Sequence, residues 1–207
     1  MSDQVELTNP IELSVGGVSG HLLRRGIHLA MSFLPFLFFE FGEDVADMAS
    51  LTLEQVVSCV ILLAVFGEAL RLRMGLTVVG QRSYEAKQVS ALAWGALGVG
   101  MVFLLTPEPA YAYPLILSLS LGDPLLGELR RKGFSTQTVI LAGVLGIAVI
   151  WAGCAYLVET PWLLVPLMAP ICVAAEWPRL RYIDDNATML LIPLAVVLIV
   201  DPFLGIM

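Results

Sequence analysis

Residues 176–200 read EWPRLRYIDDNATMLLIPLAVVLIV. Asp184, Asp185 and Asn186 stand at the threshold of an apolar run that continues to the end of the chain. A membrane-spanning helix needs about 20 such residues. Carboxylates brought to the edge of hydrocarbon are costly unless something pairs with them. The fold therefore has to supply partners for this pair, and the partners must come from elsewhere in the chain.

The composition supports a membrane reading of that run. Hydrophobic residues make up 58% and charged residues only 14% of the 207, with a mean hydropathy of +0.86. A soluble domain would carry roughly a quarter charged residues. Seven apolar runs lie near residues 26–42, 53–70, 89–106, 110–129, 138–158, 161–176 and 187–206. They predict an all-α integral membrane protein with about seven transmembrane helices in one polytopic domain, residues 21–207, after a polar segment over residues 1–20. That segment, MSDQVELTNPIELSVGGVSG, lacks the basic start and short apolar core of a cleavable signal peptide. Cys59, Cys154 and Cys172 all lie in apolar runs without CxxC or Cys/His grouping, so no disulfide framework or zinc site is indicated. A net charge of −7 argues against nucleic acid as a partner.

The basic residues alternate strictly along the chain. Arg24 and Arg25 precede the first run; Arg71, Arg73, Arg82 and Lys87 lie between the second and third. Arg130, Arg131 and Lys132 follow the fourth, and Arg179 and Arg181 precede the seventh. The intervening loops carry acids such as Glu43, Asp44, Asp47, Glu108 and Glu159, and no Lys or Arg. All 11 Lys and Arg thus fall on one side, which the positive-inside rule makes cytoplasmic. The N-terminus is then inside and the C-terminus outside.

Acids that share the basic side are candidates for chemistry: Glu68, Glu85, Asp123, Glu128, Glu176, Asp184 and Asp185. Glu68 and Arg71, Arg82 and Glu85, and Glu176 and Arg179 are each three residues apart, on one helix face. Interfacial salt bridging accounts for any single pair. Carboxylates with cations from four separate segments also suit phosphoryl transfer, in which carboxylates hold Mg²⁺ and Arg or Lys clamp phosphates. The stretch LSLSLGDPLLGELRRKG predicts a span broken at Gly122-Asp123-Pro124, because proline removes a backbone donor and disfavours helix at the residue before it. A plain helix end capped by Asp123 is the competing reading. His28, three residues after Arg25, is either a packed histidine or a contact for phosphate or a head group.

Four segments in order resemble one family, the membrane-embedded CTP-dependent kinases of isoprenoid alcohols such as dolichol, phytol and polyprenol, distant relatives of the phosphatidate cytidylyltransferases. They are RRGIH; GEALRLR with RSYEAKQVSALAWGALG; SLGDPLLGELRRKG; and AAEWPRLRYIDDNATMLLIPLA. These run from about residue 24 to 195, and IDDN followed by Pro193 is the most specific part. One departure stands out: the glycine-rich loop usual after the Gly-Asp motif is reduced to Lys132, Gly133, Ser135 and Thr136. The long C-terminal signature of the cytidylyltransferases is absent.

The resemblance implies transfer of the γ-phosphoryl of a nucleoside triphosphate, CTP above all, to a long-chain isoprenoid alcohol at the cytoplasmic face of the plasma (inner) membrane. It implies Asp123, Asp184 and Asp185 as catalytic residues, with Mg²⁺ held by Asp123, Asp185 and Glu176. Nucleotide contacts fall to Glu68, Arg71, Arg82, Glu85, Arg130, Arg131, Lys132 and Asn186, and the substrate head group to Arg25 and His28. Two alternatives stand beside it. Acids near a broken helix also build ion sites in transporters and channels, and the shortened loop fits a non-catalytic relative that binds lipid or nucleotide. The small-residue spacing in ALAWGALGVG reads equally as internal packing or as a homodimer seam.

Overall fold

The computed structural model describes residues 14–178, 180 and 182–204. Residues 1–13 of the polar N-terminal segment, Arg179, Arg181 and the last part of the seventh run lie outside the described residues. The described chain forms eight α-helices: α1 (Gly17–Met31), α2 (Leu34–Ala49), α3 (Leu53–Met74), α4 (Ala91–Leu105), α5 (Pro109–Arg131), α6 (Thr136–Leu157), α7 (Leu164–Glu176) and α8 (Asp185–Leu204). A 3-10 helix at Ser83–Lys87 lies between α3 and α4. Three helices, α3, α6 and α8, are long and apolar enough to cross a membrane on their own, and α1 with α2 makes a fourth if that bent pair is one span.

Local chemistry sets the helix ends. Thr52 caps α3 in a reciprocal pair with Gln55: its Oγ1 accepts from Gln55 N at 3.3 Å, and Gln55 Oε1 accepts from Thr52 N at 2.9 Å. Gly75 closes the helix with φ 65°, a left-handed conformation that glycine adopts without a Cβ penalty. Ser90 and Ser135 cap α4 and α6 by accepting from the backbone three residues on.

Helix α5 is the centre of the bundle. Tyr111, Ala112, Leu115, Ile116, Leu119 and Leu126 are all fully buried, at the i, i+3, i+4 spacing of a helix facing neighbours. It packs on α1, α2, α4, α6, α7 and α8. Small residues let the helices close: a Cβ on Gly143 would fall 2.4 Å from Leu126 Cδ2, and one on Gly98 would fall 2.7 Å from Leu190 Cδ1. Gly100 likewise faces Ile61, so the glycines of ALAWGALGVG serve packing within the chain. The buried indole of Trp151 donates to Ser118 Oγ at 2.9 Å, which satisfies both groups in an apolar interior. Helix α3 is the opposite case, with only Val57 and Arg71 buried, and presents Leu62, Leu63 and Phe66 outward.

The break expected at Gly122-Asp123-Pro124 is absent, because α5 runs without interruption from Pro109 to Arg131. An interior proline costs about 3 kcal/mol, while burying one leucine contributes roughly 1.5–3 kcal/mol. Leu119 and Leu126 flank Pro124 and both are fully buried, and Gly122 lies against Ile147 and Met189. Packing on both sides of the proline outweighs its lost donor. The break comes instead inside the first apolar run, 26–42, where α1 and α2 meet at 58°. Pro35 cannot donate to the carbonyl of Met31, and it sits in the first turn of α2, where a proline is tolerated.

Contacts between helix ends show how the bundle is wound. Glu68 near the end of α3 accepts from Ser90 N at the start of α4 at 2.6 Å. Asn186 Nδ2 of α8 donates to Ala91 O at 3.0 Å, and Arg130 of α5 pairs with Glu176 at the end of α7. At the other extreme the hydroxyl of Tyr111, in the first turn of α5, donates to Asp201 near the end of α8. There too, Thr160 Oγ1 donates to Ala110 O at 2.6 Å. From α3 to α8 successive helices therefore alternate in direction, and one end of the bundle gathers the charges of four sequence segments. Replacing Pro124 by alanine restores the donor toward Ser120 and is expected to leave the unfolding midpoint in detergent unchanged or raised by roughly 2–4 °C. A fall of that size would show that the proline itself contributes to the packing at this point of α5.

Candidate functional site

Two carboxylates assemble the charged end. Glu68 takes Arg71 Nε and Nη2 at 2.9 and 2.7 Å, and also Ser90 N and Oγ. Arg71 spends its remaining donors on Leu76 O and Gln88 O at 2.7 and 2.9 Å. This pair clasps the connection between α3 and α4. Glu85, 1% exposed, lies deeper. It accepts from Arg24 Nη1 at 3.0 Å, Arg82 N at 3.0 Å and Ala91 N at 3.1 Å. One carboxylate thus joins α1, the 3-10 helix and α4. The connection is also tied to the start of α1, since Val15 N donates to Gln81 O at 2.8 Å and Gly80 N donates to Val15 O at 3.0 Å.

Within this frame stands a cluster of mixed charge. Arg24 Nη2 lies 4.0 Å from Asp184 Oδ2, and Arg82 donates to Tyr84 Oη at 2.8 Å. Burial opposes the charge on Arg82, but Tyr84, Asp185 and Asp184 outweigh it and hold the guanidinium protonated. Burial, reinforced by the neighbouring Asp185 carboxylate, pushes Asp184 well above the usual carboxylate range, against the pull of Arg24 and Arg82. Burial also pushes the Tyr84 phenol up. His28 is buried with Nδ1 3.3 Å from Asp123 Oδ2, without the alignment of a hydrogen bond. Gly122, next to Asp123, packs on Met189, one turn on from Asp185, and one face of α1 brings His28 to Asp123 and Arg24 to Asp184, so the two carboxylates share one neighbourhood. Asn186 holds its place through Ala91 O, and its Oδ1 is buried without a partner.

The predicted site residues divide into groups. Arg25, His28, Arg82, Asp123, Asp184, Asp185 and Asn186 come together. Glu68, Arg71 and Glu85 border them, with their hydrogen-bonding groups turned to the clasp just described. Arg130 and Glu176 form a two-pronged pair, with Trp177 over the guanidinium at 4.7 Å from the ring centroid. Arg131 pairs with Glu128 on the exposed surface, and Lys132 is exposed beside it. Arg24 and Tyr84 belong to the cluster but were not among the predicted site residues. Arg24 had a signal, since 21, 24, 25 and 28 lie on one face of α1 at helical spacing. Tyr84 had none, because its role depends on how the 3-10 helix is folded back.

The carboxylates offer the hard oxygens that suit Mg²⁺. Among the described residues, however, no three His, Cys, Asp or Glu side chains converge in a way that could hold a metal ion. Glu176 is withdrawn from the expected ligand set by Arg130. Asp123 and Asp185 remain, which fits the mode in which one or two carboxylates hold Mg²⁺ and substrate phosphates complete its shell.

No protein-family model, curated protein or solved structure matches this chain.

The Arg130–Glu176 pair has a measurable cost. Changing Glu176 to Gln strands the guanidinium and is expected to destabilise the protein by roughly 3 kcal/mol, the low end for a buried pair, since Arg130 keeps 17% side-chain exposure. Replacing both partners together by apolar side chains, Arg130→Met with Glu176→Leu, is expected to recover most of that loss. Denaturant unfolding in detergent checks both values, and equal losses in single and double variants would contradict the pairing.

Proposed function

We propose that this chain is a membrane-embedded phosphotransferase that moves the γ-phosphoryl of a nucleoside triphosphate, CTP in the first instance, to a long-chain isoprenoid alcohol at the cytoplasmic face. What carries the reading is the meeting of Arg24, Arg25, Arg82, His28, Asp123, Asp184 and Asp185 at one end of an apolar bundle. Phosphoryl transfer asks mainly for positioning and for charge opposite the phosphate oxygens, and this set offers both. A lipid alcohol can leave its tail in the bilayer and bring only its hydroxyl to such a boundary.

In this reading the alcohol oxygen bonds to the γ-phosphorus as the bond to the bridging oxygen breaks. The nucleoside diphosphate leaves, and the hydroxyl proton passes to a carboxylate. Arg25 and Arg82 face the phosphate charge, and Asp123 or Asp185 takes the proton. Mg²⁺, when bound through one of these two carboxylates, would supply further neutralisation of the phosphate oxygens and leave the other to take the proton.

The same reading includes seven membrane passes with the N-terminus cytoplasmic and the C-terminus outside. Its support is the end-to-end alternation of the helices, together with the gathering of every described Lys and Arg at one end. Helices α4 and α7, at 15 and 13 residues, are short for a full span. They would cross by virtue of packing against longer neighbours.

A second reading, nucleotide or lipid binding without turnover, is favoured by one observation: the loop after the Gly-Asp motif is reduced to Lys132, Gly133, Ser135 and Thr136. A matrix of triphosphates against polyprenol, dolichol and phytol, with labelled phosphate and Mg²⁺ on purified membranes, separates the two. The kinase reading expects a phosphorylated alcohol from at least one combination and is sunk by none. Asp185→Asn is expected to lower transfer by at least ~100-fold while the protein stays monodisperse; full activity would remove Asp185 from the mechanism.

A further inference from the structure

Helix α1 turns His21, Arg24, Arg25 and His28 to the charged end, and two of these four are already committed. Arg24 is held by Glu85 and Asp184, and His28 faces Asp123. His21 and Arg25, one turn apart, have no described carboxylate within ion-pair distance. Glu128 is near enough for its field to reach both, but its two oxygens are taken by Arg131. His21 is nonetheless only 9% exposed. The half-buried guanidinium of Arg25 therefore keeps donors that no carboxylate takes, and the imidazole one turn before it can add a ring N–H.

The surroundings hold these groups in place. A Cβ on Gly127 would fall 2.5 Å from Arg25 Nη2 and 3.3 Å from its Cζ, so the guanidinium lies in the gap where any other residue of α5 would put a side chain. Among the described residues its acceptor there is Asp123 O, at 3.5 Å. From the other side comes the connection that carries Arg82: a Cβ on Gly80 would fall 3.3 Å from Gly20 O and 3.7 Å from Arg24 N, and the backbone of Arg82 bridges to Ser14 just before α1. Guanidinium groups with spare planar donors are the side chains best matched to phosphate oxygens.

We propose that His21, Arg25 and Arg82, with Arg25 seated over Gly127, form a phosphate-binding site that takes the terminal phosphate of a polyphosphate chain or a phosphate monoester. His21 and Gly127 are new to the site; Gly127 is a positioning residue that acts through Arg25. The proposal builds on the phosphotransferase reading for the identity of the phosphate bearer, and its geometry stands without that reading.

The test uses the full chain in phosphatidylcholine nanodiscs with inorganic tripolyphosphate as probe, titrated calorimetrically. Wild type is expected to bind. Gly127→Ala, which displaces Arg25, and His21→Gln, which leaves the backbone untouched, are each expected to weaken binding about tenfold, the effect of losing one charge-assisted hydrogen bond. Unchanged affinity in His21→Gln together with a folded Gly127→Ala would overturn the proposal, as would no binding by wild type. Two further arms identify the bearer. Competition by CTP, lost in His21→Gln, assigns the site to a free nucleotide; competition by phosphatidic acid in the discs, lost in the same variant, assigns it to a lipid head group. Competition by neither, while tripolyphosphate still binds, would overturn the claim that a biological phosphate ester fits here. A failed transfer assay with these binding results intact would sink the phosphotransferase reading and leave the site standing.

Discussion

The carboxylate of Glu85 is the constraint on which the charged end depends. It is almost wholly buried, and it accepts from a guanidinium on α1, from the backbone of the 3-10 helix and from the first residue of α4. Three separate pieces of chain are therefore held at one point, each through a hydrogen bond whose acceptor is charged. Such bonds are about twice as strong as neutral ones, and stranding a buried charge costs several kcal/mol. Arg24, once fixed by Glu85, is left within reach of Asp184, and Arg82, fixed through its backbone, turns its side chain to Tyr84 and the paired aspartates. The position of the charged cluster thus follows from one structural acid whose own oxygens are turned to α1, the 3-10 helix and α4.

This arrangement resolves the energetic problem of Asp184 and Asp185 at the edge of an apolar helix. They are only partly exposed there. They lie among Arg24, Arg82 and His28, with Asp123 and Glu176 close by. Asp184 responds to burial and to its neighbour by holding its proton more tightly than a free carboxyl. A cluster with carboxylates and cations in near balance, and with unpartnered atoms on His28 and Asn186, is a place where an added phosphate or hydroxyl finds ready partners. The far end of the bundle contrasts with it: Tyr111 and Asp201 bond to one another in an apolar setting, and no described cation approaches them.

Much of this was legible in the sequence for simple reasons. Hydropathy located most of the helices, because long apolar runs have few other fates. The alternation of basic residues predicted that remote segments would share one end, and the pairing of Arg24 with Glu85 and of Arg130 with Glu176 bears that out within the described chain. What failed was the reading of single prolines. Gly122-Asp123-Pro124 has the local marks of a break, but Leu119 and Leu126 are anchored on both sides, so the helix persists. Pro35, in an ordinary apolar run, coincides with a real bend between α1 and α2. The direction of individual charges was also beyond a one-dimensional reading. Glu68 and Arg71 look like a nucleotide clamp by spacing, yet the fold turns them toward Ser90, Leu76 and Gln88. Gly127 carries no pattern at all until Arg25 is seen lying over it.

The most direct measurement of this account is a double-mutant cycle between Arg24 and Glu85, using Arg24→Gln, Glu85→Gln and the double variant, with unfolding free energies taken in the same detergent. The account predicts a coupling energy of about 1–3 kcal/mol, with the double variant far less destabilised than the sum of the singles. Additivity within about 0.5 kcal/mol would contradict it, because α1 and the α3–α4 connection would then not be joined through this carboxylate.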